Sequence, residues 1–111
     1  DSEPRVRRRV VEALERIGVS SAPSLAALRV LAEDPVISIQ FQARWTRWRL
    51  EPNRWEADLV AFLTAERDER RRRWIADWLA DRGEAPGPVS DALVVVAKSW
   101  LTSTKMLDSR L

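Results

Sequence analysis

Val36-Ile37-Ser38-Ile39-Gln40-Phe41-Gln42-Ala43-Arg44-Trp45-Thr46-Arg47-Trp48-Arg49-Leu50 is the stretch on which the fold turns. Read by twos, Ile37, Ile39, Phe41, Ala43 and Trp45 alternate with Ser38, Gln40, Gln42 and Arg44, the pattern of a half-buried strand. Read by threes and fours, Ile37, Phe41, Trp45 and Trp48 form a helical stripe. The helix is the better reading for two reasons. Trp48 breaks the alternation, and the chain offers no second strand to pair with this one.

Every segment around it reads as helix. Residues 4–17 carry Val6, Val10, Leu14 and Ile17 on one expected core face, with Glu12 and Arg16 spaced to pair and Gly18 as the C-cap. Ser20-Ser21-Ala22-Pro23 is a helix start followed by Leu25, Leu28 and Leu31, and Asp34-Pro35 is its stop, because a residue before proline is driven out of the α region. Pro52-Asn53 marks a turn, and Trp55, Leu59, Phe62 and Leu63 form the next apolar face. Glu66 to Arg73 is about two turns without an apolar residue, either an exposed waist of one long helix or the junction of two. Trp74, Ile75, Trp78 and Leu79 resume the pattern, Gly83 ends it, and Gly83 to Pro88 is a Gly/Pro loop. Ser90-Asp91 can cap a last helix in which Leu93 to Ala97 is apolar all round, so that burial on more than one side is expected, with Trp100 and Leu101 extending its face. The expectation is an all-α bundle of four to six helices forming one domain over residues 1–111.

Composition narrows the chemistry. Apolar residues at 45% and charged residues at 32% are those of a globular protein, and no apolar run reaches the 18 or more residues of a membrane helix. No signal-peptide pattern opens the chain, which is therefore expected to be cytoplasmic. Asp1 is not an initiator methionine, as in a fragment of a longer protein. The chain has no cysteine and no histidine, which removes disulfides, thiolate metal sites, the commonest metal ligand and the usual general base near neutral pH. Only two lysines occur, and no acidic cluster has ligand spacing. A non-enzyme without metal or cofactor is expected. Seventeen arginines are nearly balanced by acids, for a net charge of +2, too little to predict nucleic-acid binding alone.

Three features carry functional content. The arginine clusters Arg7-Arg8-Arg9 and Arg70 to Arg73 could bind phosphates. Glu12 beside the first and Glu66, Asp68, Glu69 and Asp77 beside the second favour an internally paired, solvated face. The aromatic set Phe41, Trp45, Trp48, Trp55 and Phe62 fits core packing and fits equally an apolar ligand pocket with tryptophan N–H groups as orienting donors. Arg44, Arg47 and Arg49 interleave with Trp45 and Trp48, so an aromatic-basic nucleic-acid surface is a third reading of that set. Last, Ser90 to Leu107 shows more apolar surface than a peripheral C-terminal helix needs; either it is the central helix of a monomer or it pairs with its copy, and the patch argument favours a homodimer whose expected interface is Trp78, Leu93, Val96, Ala97, Trp100 and Leu101.

Three stretches resemble one family. LAALRVLAEDPV (Leu25 to Val36), WIADWLADRGEAPGP (Trp74 to Pro88) and DALVVVAKSWLTSTKM (Asp91 to Met106) look like the C-terminal effector-binding and dimerisation domain of tetracycline-repressor-type (TetR) transcription regulators. The closest flavour is the γ-butyrolactone-receptor-like branch, over residues 23–107. The resemblance implies an apolar small-molecule effector, a homodimer built as an intermolecular four-helix bundle, and DNA contacted only through a helix-turn-helix that this chain does not contain. No pocket residue transfers by motif. Two readings of other classes stand beside it: a stand-alone helical nucleic-acid-binding module using the arginine clusters, and a purely structural interaction domain.

Overall fold

A computed structural model describes residues 3–18, 21–82 and 94–101 of the chain. Five complete helices run α1 (Pro4–Ile17), α2 (Ala22–Leu31), α3 (Ile37–Leu50), α4 (Pro52–Ala65) and α5 (Glu69–Arg82), and residues 94–101 are helical as α6. No strand occurs among the described residues, so the all-α expectation holds.

The helix ends are set by the residues that the sequence marks. Gly18 takes the left-handed conformation, φ 66°, and its N–H closes on the Leu14 carbonyl. Ser21 caps α2 by accepting the Ser24 N–H, with Pro23 in the first turn. Asp34 Oδ1 accepts the Val36 N–H at 2.9 Å where the chain turns into α3. Pro52 does not make a turn of its own. It opens α4, and Glu51 alone separates α3 from α4. A proline is well suited there because its missing N–H would have no helical partner in the first turn. The charged run is a junction: α4 stops at Ala65, and Asp68 caps α5 by accepting the N–H groups of Arg70 and Arg71 at 2.8 and 3.2 Å.

The chain gathers into two compact units, Asp1–Leu59 and Val60–Leu111, with the division inside α4. In the first unit α3 is the central element. Nine of its fourteen residues are buried, which explains why its sequence reads two ways. Ile39 and Ala43 join Val11 of α1 and Leu28, Leu31 and Ala32 of α2 in one apolar cluster, against which Leu14, Val36 and Leu50 pack. Phe41, Trp45 and Trp48 lie about half a turn away on the opposite face. Two stripes on opposite sides of one helix, offset by two residues, produce the alternation of a strand. The flanks between the stripes are polar and aim at neighbours. Ser38 accepts Arg8 of α1 at 3.1 Å, and Arg49 meets Glu15 of α1 at 3.8 Å. On the other flank Arg44 and Arg47 reach Asp58 of α4.

The expected core face of α1 is wrong for three of its four residues. Val6, Val10 and Ile17 are 49%, 40% and 61% exposed, whereas Val11 is 1% exposed and Leu14 half-buried. Polar anchors override the stripe. Arg7 binds the buried Asp34, Arg8 binds Ser38 and Glu15 binds Arg49, all from the side that carries Val11 and Leu14. Glu12 pairs with Arg9 at 3.5 Å rather than with Arg16.

In the second unit Leu63, Ile75 and Val96 are buried. So is Arg72, in the middle of the run that reads as solvated. Its Nε donates to the Glu66 carbonyl at 2.8 Å and its guanidinium lies 5.5 Å from the Trp100 ring centroid. Trp100 Nε1 donates at 3.0 Å to the Leu63 carbonyl in the last turn of α4, which also accepts the Glu66 N–H at 3.2 Å. The all-round burial expected of Leu93 to Ala97 in the last helix does not occur among the described residues, and Leu93 lies outside them. Of its described apolar residues Val96 is buried and Trp100 half-buried, while Val94, Val95, Ala97 and Leu101 are exposed.

Candidate functional site

The residues proposed to line a ligand pocket fall into three environments. Phe41, Trp45 and Trp48 are closed to solvent and packed ring to ring, with centroids 6.0 Å apart for Phe41 and Trp45 and 5.3 Å apart, edge-on, for Trp45 and Trp48. Such pairs contribute about 0.5–1.5 kcal/mol each beyond the area they bury. Trp48 Nε1 and Thr46 Oγ1 beside it are buried with no hydrogen-bond partner among the described residues. Trp55 is half-exposed and borders open space. Phe62 is half-buried and belongs to the second unit.

The open space beside Trp55 is a groove of about 740 Å³ lined by Ala26, Arg29, Val30, Glu33, Arg47, Trp55 and Asp58. Helical spacing builds it. Ala26, Arg29 and Val30 are i, i+3 and i+4 on α2 and form one wall, which Glu33 extends from the turn after the helix. Trp55 and Asp58 are i and i+3 on α4 and form the other, and Arg47 reaches it from α3.

An ion network underlies the groove. Asp58 accepts Arg44 Nη1 on one carboxylate oxygen and Arg47 Nη2 on the other, each at 2.8 Å. Arg44 also donates to the Ala32 carbonyl and to Glu33, both at 3.2 Å. The Arg47 guanidinium lies 3.7 Å from the Trp55 ring centroid, a stacking contact, and Arg54 is 5.1 Å from the same ring. Cation–π contacts of this kind add about 0.5–2 kcal/mol. Trp55 Nε1 donates to Glu51 at 3.2 Å. Arg47 is buried, and its Nε has no acceptor among the described residues. Arg29 is exposed and makes no ion pair within that set. The groove thus offers an apolar lip at Ala26 and Val30, one flat aromatic ring, and two cationic groups with donor capacity to spare.

Asp34 is the described carboxylate with a clearly displaced pKa. Burial pushes the carboxyl up, but hydrogen bonds from Arg7 and from the Val36 N–H, together with the Arg7 charge, outweigh it and hold the pKa below the ordinary carboxylate value. Its role is to join α1 to the α2–α3 corner.

Of the expected dimer residues, Val96 and Trp100 turn inward, Trp78 is half-buried, Ala97 and Leu101 face outward, and Leu93 lies outside the described residues. In the arginine clusters, Arg7, Arg8, Arg9, Arg71 and Arg72 are each engaged with a protein group. Among the described residues no three His, Cys, Asp or Glu side chains gather as a metal site.

The residues that line the groove, apart from Trp55, escape a periodicity reading. Ala26, Arg29 and Val30 form the second face of α2, too mixed to register as a stripe, and Glu33 follows in the turn beyond it. The Arg47–Asp58 contact joins two helices across the break at Glu51, so a spacing along one helix does not predict it. Comparison with protein-family models, with curated proteins and with solved structures finds no match for the chain.

Proposed function

We propose that this chain is a small-molecule-sensing domain that binds a largely apolar effector carrying one acceptor group, and that it serves as the effector-binding and dimerisation part of a cytoplasmic transcription regulator. The observation that carries the binding reading is the groove between α2 and α4. There Ala26, Val30 and Trp55 line one space, and Arg47, which stacks on the Trp55 ring, keeps a buried N–H without a partner among the described residues. An apolar body would lie against Val30 and Trp55, and an acceptor group would engage Arg47 or Arg29. Because Arg47 and Asp58 also hold α3 to α4, a ligand that draws on them favours one arrangement of that corner over another. Such differential binding is what a sensor needs. The expected pocket among Phe41, Trp45 and Trp48 gives way here to a site that keeps Trp55 and replaces the other aromatic residues.

The regulator setting comes from the resemblance of the three stretches quoted above. Dimerisation draws support from the outward face of α6, where Val94, Ala97 and Leu101 lie at i, i+3 and i+7 and are exposed. DNA would be contacted by a domain beyond this chain.

The test is a titration of alkyl γ-lactones and medium-chain carboxylic acids, followed by tryptophan fluorescence and calorimetry. Saturable binding is expected, and Trp55→Ala or Val30→Glu should weaken it at least about tenfold, equivalent to about 1.4 kcal/mol. Val30 is well exposed, so its substitution leaves the fold intact. No saturable binding across the panel, or binding indifferent to both substitutions, overturns the reading. Light scattering of the wild type and of Leu101→Glu tests the dimer: a monomeric wild type removes it.

A further inference from the structure

We propose that the outward face of α1 is a docking surface for an acidic amphipathic helix of a protein partner. Val6, Val10, Ala13 and Ile17 recur at spacings of four, three and four, which gathers them within about 60° of arc along the helix. All four are exposed. This is the face that periodicity alone assigns to the core, and within the first unit it is left without a partner. The helix cannot rotate to bury it. Arg7 bound to Asp34, Arg8 to Ser38, Glu15 to Arg49, and Val11 in the apolar cluster all hold the other side inward. Arg9, Glu12, Ala13, Arg16 and Ile17 border a shallow open depression beside the C-terminal half of the stripe.

The charge beside the stripe selects the occupant. Arg5, Arg9 and Arg16 run along one edge, all exposed, and Glu12 is the only acid among them, spent on Arg9. Arg5 and Arg16 make no ion pair among the described residues. A second copy of the chain is a poor occupant. Packed antiparallel on the stripe, two copies would set one arginine edge against the other. Packed parallel, the arginine edge would meet Arg7 and Leu14. A lipid surface is also a poor occupant, because the stripe has none of the tryptophan, phenylalanine or leucine that seats an interfacial helix. A helix with leucines at heptad spacing and glutamates along its edge satisfies both the stripe and the arginines.

The test uses the full chain and two designed, fluorescein-labelled helical peptides with leucines at heptad positions, one flanked by glutamates and one by lysines. Fluorescence anisotropy should show saturable binding of the glutamate peptide, weakened severalfold between low and high salt, and at least tenfold weaker binding of the lysine peptide. Val10→Asp and Ile17→Asp should each reduce binding at least tenfold, and Arg9→Glu with Arg16→Glu should reverse the preference between peptides. These side chains are exposed, so circular dichroism and thermal midpoint should stay near wild type. Arg70→Glu with Arg73→Glu on α5 should leave binding unchanged. No binding, equal binding of both peptides, or binding insensitive to Val10→Asp overturns the proposal. So does self-association lost in Val10→Asp, or binding of the wild type through these residues to phosphatidylglycerol vesicles or duplex DNA in place of the peptide.

Discussion

Replacing Arg7 with methionine should destabilise the protein at neutral pH and much less in acid. The substitution keeps most of the side-chain stem that packs along α1 and removes the guanidinium. Two hydrogen bonds to Asp34 are lost: Nε to Oδ2, and Nη2 to Oδ1 at 3.3 Å. The Asp34 side chain is only 4% exposed and would keep the Val36 N–H alone. Breaking a fully buried pair costs about 3–5 kcal/mol, and because the arginine side is partly open to water the figure here is about 2–3 kcal/mol. With a urea slope of about 1.5 kcal/mol/M, the unfolding midpoint should fall by about 1.3–2 M, read from tryptophan fluorescence.

The pH dependence distinguishes this account from a simple loss of packing. In the wild type the Asp34 pKa is lowered on folding. Its contribution is therefore fully present above the unfolded value of about 3.9 and is lost as pH falls through the lower folded value. In Arg7→Met the upward push of burial is opposed by the Val36 N–H alone, so the folded pKa should rise and the penalty should fade as the carboxyl protonates. The gap between the two proteins should therefore shrink as pH falls through the folded pKa of Asp34. A midpoint change below about 0.5 M at pH 7, or the same change at pH 7 and pH 3, would refute the assignment.

Two further substitutions test how the helix ends are made. Gly18→Ala forces a side chain into φ 66°, where a Cβ would have ordinary clearance from the described residues, 3.9 Å from the Glu15 carbonyl. The loss should therefore be the backbone term alone, about 1–2 kcal/mol in chemical unfolding, and Gly18→Asn should recover part of it. Asp68→Ala removes the acceptor for the Arg70 and Arg71 N–H groups and should cost about 1 kcal/mol, with faster amide exchange confined to the first turn of α5. Unchanged exchange there would show that the cap contributes nothing.

How much was legible differs between the fold and the groove. Helix positions follow from local rules. Gly18, Ser21, Asp34-Pro35 and Asp68 act through bonds to residues within four positions, so their effect can be read directly from order in the chain. The faces are another matter. Periodicity reports that α1 has an apolar stripe at Val6, Val10 and Ile17, yet the face that packs is the one that carries Arg7, Arg8, Val11 and Glu15, because Asp34, Ser38 and Arg49 wait for them on other helices. The two-sided burial of α3 looks like a strand for the same reason: a pattern along the chain does not say how many neighbours a helix has.

The sequence by itself determined that this chain is helical, where most of its helices begin and end, and that its chemistry excludes cysteine and histidine. Only the tertiary structure decided which tryptophans are core and which one borders a groove, that Arg47 stacks on Trp55 while sharing Asp58 with Arg44, and that Arg72 is buried against Trp100. Helix ends depend on hydrogen bonds across a single turn, which sequence order encodes. Burial, ion pairing and grooves depend on which helix faces come together, and that is settled by the sum of many contacts between residues far apart in the chain.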